Sequence, residues 1–218
     1  MAGQGRFSPT QLLIPMKRLY VALFASVAVL SASCLSAAPL TAEELARANA
    51  HLKKTSDAFV ASTAGLSDAQ LNFKQGPTRW SVAQVAEHIA AAEDFLMDLV
   101  QKQVMPAPAR TEAADLKAID DFVVTAIADR TQKVQAPEPL APSNRFGSTE
   151  ASMKHFKESR AKTLAFLNET KDLRDHAIDS PLGKKLDAYQ WLLFISAHSE
   201  RHTKQIEEVK ADPNFPKK

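Results

Sequence analysis

The sequence is poor in cysteine, glycine and long apolar runs. Its 218 residues contain one cysteine, so the chain cannot form an internal disulfide, and only six glycines, which disfavours a strand-and-turn architecture. No stretch reaches the roughly 20 apolar residues that a membrane-spanning helix needs. The prolines cluster between stretches of helical periodicity. The composition therefore predicts one all-α domain without a membrane span.

The first 38 residues are predicted to lie outside this domain. The basic segment Met16-Lys17-Arg18 precedes an apolar run, Leu19–Leu30, and a series of small residues, which is the pattern of a signal peptide. We expect translation to start at Met16, with residues 1–15 as an upstream extension. The sequence thus predicts an exported protein, periplasmic or secreted, whose folded domain spans residues 39–218.

Removal of the signal segment changes the charge balance and the expected partners. Arg6, Lys17 and Arg18 are lost without any acid, so the 27 basic residues fall to 24 against 25 acidic residues. Nucleic acid then has no electrostatic reason to bind. A small-molecule substrate and a homodimer both stay open. We expect the signal peptide to be cleaved after Cys34. A lipid anchor at Cys34 is the weaker alternative, because Ser31 stands where lipoprotein signals prefer leucine.

Capping boxes mark where the helices begin. In such a box a Ser, Thr or Asp side chain accepts the amide proton of the residue three positions on, and a Glu or Gln there reaches back. The boxes are Thr41–Glu44, Ser67–Gln70, Ser81–Gln84 and Asp187–Gln190. The second lies before the Gly76-Pro77 break and predicts a short turn, whereas the others predict long helices. A further long helix is predicted from about Ser148 to Thr170.

Each long helix carries an apolar stripe, and four such helices predict a four-helix bundle. The stripes are Leu45, Leu52 and Phe59; Val85, Ala92, Phe95 and Leu99; Met153, Phe156, Leu164 and Leu167; and Trp191, Ile195, Ile206 and Val209. The long connection between the second and third helices, residues 106–147, is predicted to contain a short extra helix near Asp115–Arg130. Because a link of this length allows these two helices to run parallel, we expect an up-down-down-up bundle.

Three histidines interrupt the stripes. His198 and His202 are four residues apart on the inner face of the last helix, and His88 lies on the inner face of the second. An unpaired imidazole in an apolar core costs about 1–3 kcal/mol, so three of them need a common partner, such as a metal ion. In antiparallel helices, His88 and His202 both lie about 10 Å from one end of the bundle. We therefore predict a divalent metal site, the alternative being hydrogen-bonded core histidines.

Three nitrogen ligands leave a tetrahedral ion one open position, as in catalytic zinc sites. Zinc is the metal that we expect, and nickel, iron and manganese fit the same ligand type. The ion would activate water or a substrate thiolate. No carboxylate stands at a convincing offset from the three histidines to act as a general base.

The remaining polar and aromatic residues have ordinary explanations. Trp80 is expected to be a helix staple rather than a substrate platform, and Glu93 a supporting or surface carboxylate rather than a ligand. Arg201 is expected to form a salt bridge, with anion binding at the rim of the site as the alternative. The other histidines, His51, His155 and His176, are expected at the surface or in loops.

Two segments, WSVAQVAEHIAAAE and HSERHTKQIEEVK, contain the three histidines. Together they resemble the DinB-like superfamily, and the resemblance covers nearly all of residues 39–218. It implies an up-down-down-up bundle in which His88, His198 and His202 bind a divalent metal. Relatives in that family include thiol-dependent S-transferases and an isomerase. The export signal sets this chain apart from the cytoplasmic members and favours a periplasmic substrate.

The sequence thus leaves three hypotheses for function. The first is a metal-dependent hydrolase or thiol S-transferase that uses the open position of the three-histidine site. The second is a non-enzymatic periplasmic bundle that binds a metal or another ligand, and the lack of a general base favours it slightly. The third is a structural bundle without a metal.

Overall fold

The computed structural model describes residues 39–217. These residues form six α-helices: α1 Ala42–Thr63, α2 Asp68–Asn72, α3 Val82–Leu99, α4 Leu116–Ala128, α5 Thr149–Glu169 and α6 Ala188–Lys210. A π-helical turn, Val100–Val104, extends α3, and a 3-10 turn spans Glu138–Leu140. An antiparallel pair of strands, β1 Ala177–Asp179 and β2 Lys185–Asp187, precedes α6. No helix of this part of the chain is long and apolar enough to cross a membrane. The predicted signal peptide, Met16 start and Cys34 anchor lie outside the described residues.

The four predicted capping boxes all form. Their cap residues are Thr41, Ser67, Ser81 and Asp187. The predicted start of α5 is also confirmed, since the Ser148 side chain accepts the amide proton of Ala151. The short helix expected in the long link is α4, and Asp115 caps it. These starts were predictable because each depends on side chains within three residues of the helix end.

The long helices α1, α3, α5 and α6 form the predicted up-down-down-up bundle. Going around the bundle, α1 packs on α6, α6 on α3, α3 on α5, and α5 on α1. One core cluster joins the first halves of α1 and α6 to the second halves of α3 and α5; it includes Ala48, Trp191, Leu96 and Leu167. The other cluster joins the opposite halves and includes Phe59, Ile206, Val85 and Phe156. Helices α1 and α6 therefore run in one direction, and α3 and α5 run in the other.

The apolar stripe predicted for α3 was wrong at one position. Phe95 is 43% exposed, whereas Glu93 is only 2% exposed. The prediction gave the inward position to the Phe95 ring and left Glu93 open as either a supporting or a surface carboxylate. Glu93 lies in the core because it forms an ion pair there with Arg160 of α5. A buried carboxylate is stable in such a place only when it is paired.

A buried ion network holds α4 against the bundle. Arg174 donates to Glu44 at 2.6 Å, to Asp120 at 2.7 Å and to Asp187 at 3.0 Å. These acids belong to α1, α4 and the start of α6, so one guanidinium joins three elements. The chain that follows α4 therefore starts from a fixed position on the bundle.

Candidate metal centre

His88, His198 and His202 converge where α3 packs against α6. The side chain of His88 is buried, and the two histidines of α6 are half-buried. His88 Nε2 lies 3.3 Å from His198 Nε2 and 3.2 Å from His202 Nε2. The antiparallel packing of α3 and α6 brings the three residues to one height, as their sequence positions predicted. Three imidazole nitrogen atoms therefore face one point.

Hydrogen bonds orient two of the imidazoles. His88 Nδ1 lies 2.9 Å from the Leu140 carbonyl oxygen, and His202 Nδ1 lies 2.9 Å from Gln205 Oε1. Because an amide or carbonyl oxygen can only accept, each Nδ1 carries the proton and each Nε2 carries a lone pair. The lone pairs of His88 and His202 thus face each other at 3.2 Å, with no proton between them. Two lone pairs at that distance repel unless a cation lies nearby.

The spacing of the nitrogen atoms fits a metal ion. Ligand bonds of about 2.0–2.1 Å at tetrahedral angles put neighbouring nitrogens about 3.3 Å apart. The two separations from His88, 3.2 and 3.3 Å, agree with that value, and all three ligand atoms lie within 4.8 Å of one another. Each histidine offers one ligand atom, so a tetrahedral ion would keep one position for water or substrate. The residues present therefore fit a divalent ion with an open coordination position.

Burial keeps these imidazoles in the form that binds metal. Loss of solvent lowers the pKa of all three residues: that of His202 falls to about 3, and that of His198 lies well below its usual value. The neighbouring imidazoles lower the pKa of His198 further. Metal ligation requires the neutral imidazole, so no proton has to be displaced at neutral pH.

Residues 129–147, which we call the strap, contact both of the helices that hold this site. Arg130 of the strap forms two hydrogen bonds with Glu208, at 2.6 and 2.7 Å, and a longer one with Gln205 Oε1 at 3.4 Å. Leu140 of the strap supplies the carbonyl that binds His88. The strap therefore supplies the hydrogen-bond acceptor of His88 and also contacts Gln205, the acceptor of His202.

Arg201 binds backbone carbonyls at the start of the strap. Its guanidinium donates to the backbone carbonyls of Asp129 and Gln132, at the start of the strap. The last carbonyls of a helix lack intrahelical donors and attract a cation, and α4 ends at Ala128. Arg201 thus fixes the strap to α6 through backbone carbonyls instead of the predicted salt bridge, and anion binding at the rim of the site stays a prediction.

Trp80 packs as a helix staple and Glu93 is not a ligand, as the sequence predicted. Trp80 belongs to the same core cluster as Val85, in agreement with its predicted staple role. Its ring centroid is also 5.0 Å from that of His88, so the indole forms one wall of the site. Glu93 donates no ligand atom to the centre, because both its oxygens bind Arg160 at 2.7 Å.

The other three histidines do not join the centre. His51 is half-buried rather than at the surface, and its Nδ1 lies 2.6 Å from Ser196 Oγ. His155 pairs with Asp94, and His176 forms a backbone bridge with Ala109. Sequence reasoning missed Leu140, Gln205 and the strap contacts. The spacing of Gln205, three residues after His202 on one helix face, was a signal that could have been used.

Known proteins resemble this chain in sequence and in shape. The sequence model of the DinB superfamily matches residues 51–206, a range that includes all three histidines. YuaE of Bacillus subtilis (strain 168), an uncharacterized protein, is 27% identical over 147 residues, which cover 67% of this chain and 86% of YuaE. The solved structure of YfiT from Bacillus subtilis is described as that of a probable metal-dependent hydrolase with an unusual four-helix bundle topology. It aligns with a TM-score of 0.49 and 16% identity, over 78% of this chain and 88% of YfiT.

Proposed function

This chain belongs to the DinB superfamily, and we propose that it is an exported metal-dependent hydrolase whose ion is held by His88, His198 and His202. One observation carries the proposal: three Nε2 atoms converge, and two of them present lone pairs to each other at 3.2 Å. We propose zinc, because a neutral imidazole site with one open position suits it. Such an ion would supply Lewis-acid chemistry, which lowers the pKa of water towards about 7 or stabilises a thiolate.

The chain's own residues would orient the ligands and limit water. The Leu140 carbonyl and the Gln205 side chain keep the protons of two histidines on Nδ1, which leaves Nε2 for the ion. Trp80 lies against His88, and the strap lies across the same helices. Trp80 and the strap would therefore limit the access of water and substrate to the ion.

A non-enzymatic metal-binding bundle is the second candidate, and one observation favours it. Both carboxylates that flank His88 on α3 are already occupied: Glu87 accepts backbone amide protons, and Glu93 pairs with Arg160. Neither is placed to take a proton from water. Helix α3 therefore supplies no carboxylate as a general base, and an ion without a general base is a weaker arrangement for hydrolysis.

A reaction panel separates these functions. The purified full chain, loaded with zinc, would be tested for hydrolysis of ester, amide and phosphoester substrates and for conjugation of a low-molecular-weight thiol. The variants His88→Ala, His198→Ala and His202→Ala are compared with His155→Ala, which changes a histidine outside the centre. We expect hydrolysis that each of the first three variants reduces at least about 100-fold. Thiol conjugation instead of hydrolysis would indicate an S-transferase, and metal binding without turnover would indicate a non-enzymatic metal-binding protein. Hydrolysis that survives the loss of His88 would contradict the proposed mechanism.

Export is tested by fusing the chain to a reporter that is active only outside the cytoplasm. A fusion that starts at Met16 should give signal, and one that starts at Pro39 should not. If the Cys34→Ser variant of the longer fusion moves from the membrane fraction to the soluble fraction, Cys34 is a lipid anchor. Retention of the Met16 fusion in the cytoplasm would contradict the proposed export.

A further inference from the structure

Glu87 directly precedes His88, but its carboxylate binds the strap rather than the metal centre. It accepts three successive backbone amide protons, from Ser143 at 2.8 Å, Asn144 at 2.9 Å and Arg145 at 3.0 Å. The Arg145 Nε adds a fourth donor at 3.3 Å. The side chain is 8% exposed. Hydrogen bonds to an ionised acceptor are about twice as strong as neutral ones, so this contact fixes the strap firmly.

The turn that receives Glu87 has a backbone shaped for an anion. Asn144 has a φ of 63°, in the left-handed region, where asparagine is better tolerated than most residues. Such a turn directs successive N–H groups to one point and forms a concave anion-binding surface. Glu87 fills that surface with an anion from the same chain.

The same turn is connected to the residue that orients His88. Arg145 donates to the carbonyl oxygens of Pro139 at 2.8 Å and Ala141 at 2.9 Å, which flank Leu140 on both sides. The Leu140 side chain packs in a small cluster with Ala91 and Ala92 of α3. The position of the Leu140 carbonyl therefore depends on how the strap is held against α3.

We infer that Glu87 is a positioning residue of the metal centre. It holds the strap so that the Leu140 carbonyl keeps the proton of His88 on Nδ1 and leaves Nε2 for the ion. Two neighbouring residues of α3 thus bind the strap. Glu87 binds the turn at residues 143–145, and His88 binds the Leu140 carbonyl, whose position depends on that turn. This inference rests on the proposed function only in assuming that the centre binds a divalent ion.

The test measures metal binding in the full chain with Co²⁺ as a spectroscopic probe. Glu87→Gln keeps the size of the side chain but removes the charge that three amides bind, and Asp98→Asn makes the same change at an exposed site of α3. We expect Glu87→Gln to weaken Co²⁺ binding about 10–100-fold in competition with a chelator, the usual effect of losing support for a ligand. Its visible spectrum should differ from that of the wild type, and amides of the strap should exchange hydrogen faster while those of α1 do not. Asp98→Asn should match the wild type in all three measurements.

Arg145→Ala keeps the test decisive if Glu87→Gln does not fold. Arg145 is partly exposed and lies outside the bundle core, and its loss removes the bonds to Pro139 and Ala141. It should weaken Co²⁺ binding in the same direction but less. If the wild type and Asp98→Asn bind no metal, the proposed function fails. If they bind Co²⁺ and both strap variants bind it equally well with the same spectrum, only the role of Glu87 is overturned.

Discussion

Two polar clusters lie close together in the bundle core, and the protein satisfies one of them far better than the other. The first is centred on Arg160, whose guanidinium donates to Glu93, the Leu52 carbonyl, Thr55 and Ser199. The second is the group of three histidines, in which His88 Nε2 faces the Nε2 atoms of His198 and His202 at 3.3 and 3.2 Å. Ser199 of the first cluster is next to His198 of the second along α6. The polar groups around Arg160 are thus paired within the chain, whereas the facing lone pairs of the histidine cluster need a cation between them.

The largest effect is expected from breaking the satisfied cluster. Arg160→Met leaves the buried Glu93 without its cation, which should lower the free energy of unfolding by about 3–5 kcal/mol. Urea unfolding of the metal-free protein measures this loss. Lys102→Met is the control, because its ion pair with Asp98 is exposed and should be worth less than about 1 kcal/mol. Equal losses in the two variants would mean that the Arg160 cluster does not stabilise the core as described.

The histidine cluster should instead add stability only when the ion is supplied. A ligand at 100 times its dissociation constant raises the free energy of unfolding by about 2.7 kcal/mol when it binds the native state alone. We expect this gain for zinc with the wild type and none with His202→Gln. Thermal unfolding with and without excess zinc provides the measurement, and a similar gain in both proteins would place the ion elsewhere.

The pH dependence of the metal-free protein sharpens the same contrast. The pKa of His202 is lowered to about 3, below its usual 6.5, so the unfolded chain binds more protons than the native protein between these values. Stability should therefore fall as the pH drops below 6.5, by about 2 kcal/mol at pH 5 from this residue alone. Urea unfolding in the presence of a chelator should be less pH-dependent for His202→Gln. Parallel pH profiles for the two proteins would argue against a buried neutral imidazole.

The smallest effect is expected from removing the side chain that orients His202. Gln205→Ala removes the oxygen that accepts the Nδ1 proton, while His88 keeps its own acceptor, Leu140. Metal affinity should fall about tenfold, at the low end for a group that orients a ligand. Chelator competition would detect this change. An unchanged affinity would show that the imidazole of His202 needs no such partner.

The parts of this molecule that sequence predicted are those governed by local chemistry. The Ser81 and Asp187 boxes depend on residues three positions apart, and the pairing of His198 with His202 depends on one helical turn. Their height relative to His88 followed from helix rise once antiparallel packing was assumed. Each of these predictions needed only residues close in sequence or a single helix pair.

The parts that sequence did not predict depend on long-range contacts. The strap reaches His88 through Leu140, 52 positions away, and Glu87 through the residues that follow. Glu93 belongs to the core only because Arg160, 67 positions away, meets it there. No periodic pattern in α3 distinguishes an acid that will be paired from one that will be solvated. The support of the metal centre therefore had to be found in the structure.

Metal content per chain tests the central claim most directly. The purified full chain and its His88→Ala/His198→Ala/His202→Ala variant would be incubated with equimolar zinc, passed through a desalting column and analysed for metal. We predict one bound ion per wild-type chain and none in the variant. Equal metal in the two proteins, or none in the wild type, would contradict a metal centre at these three histidines.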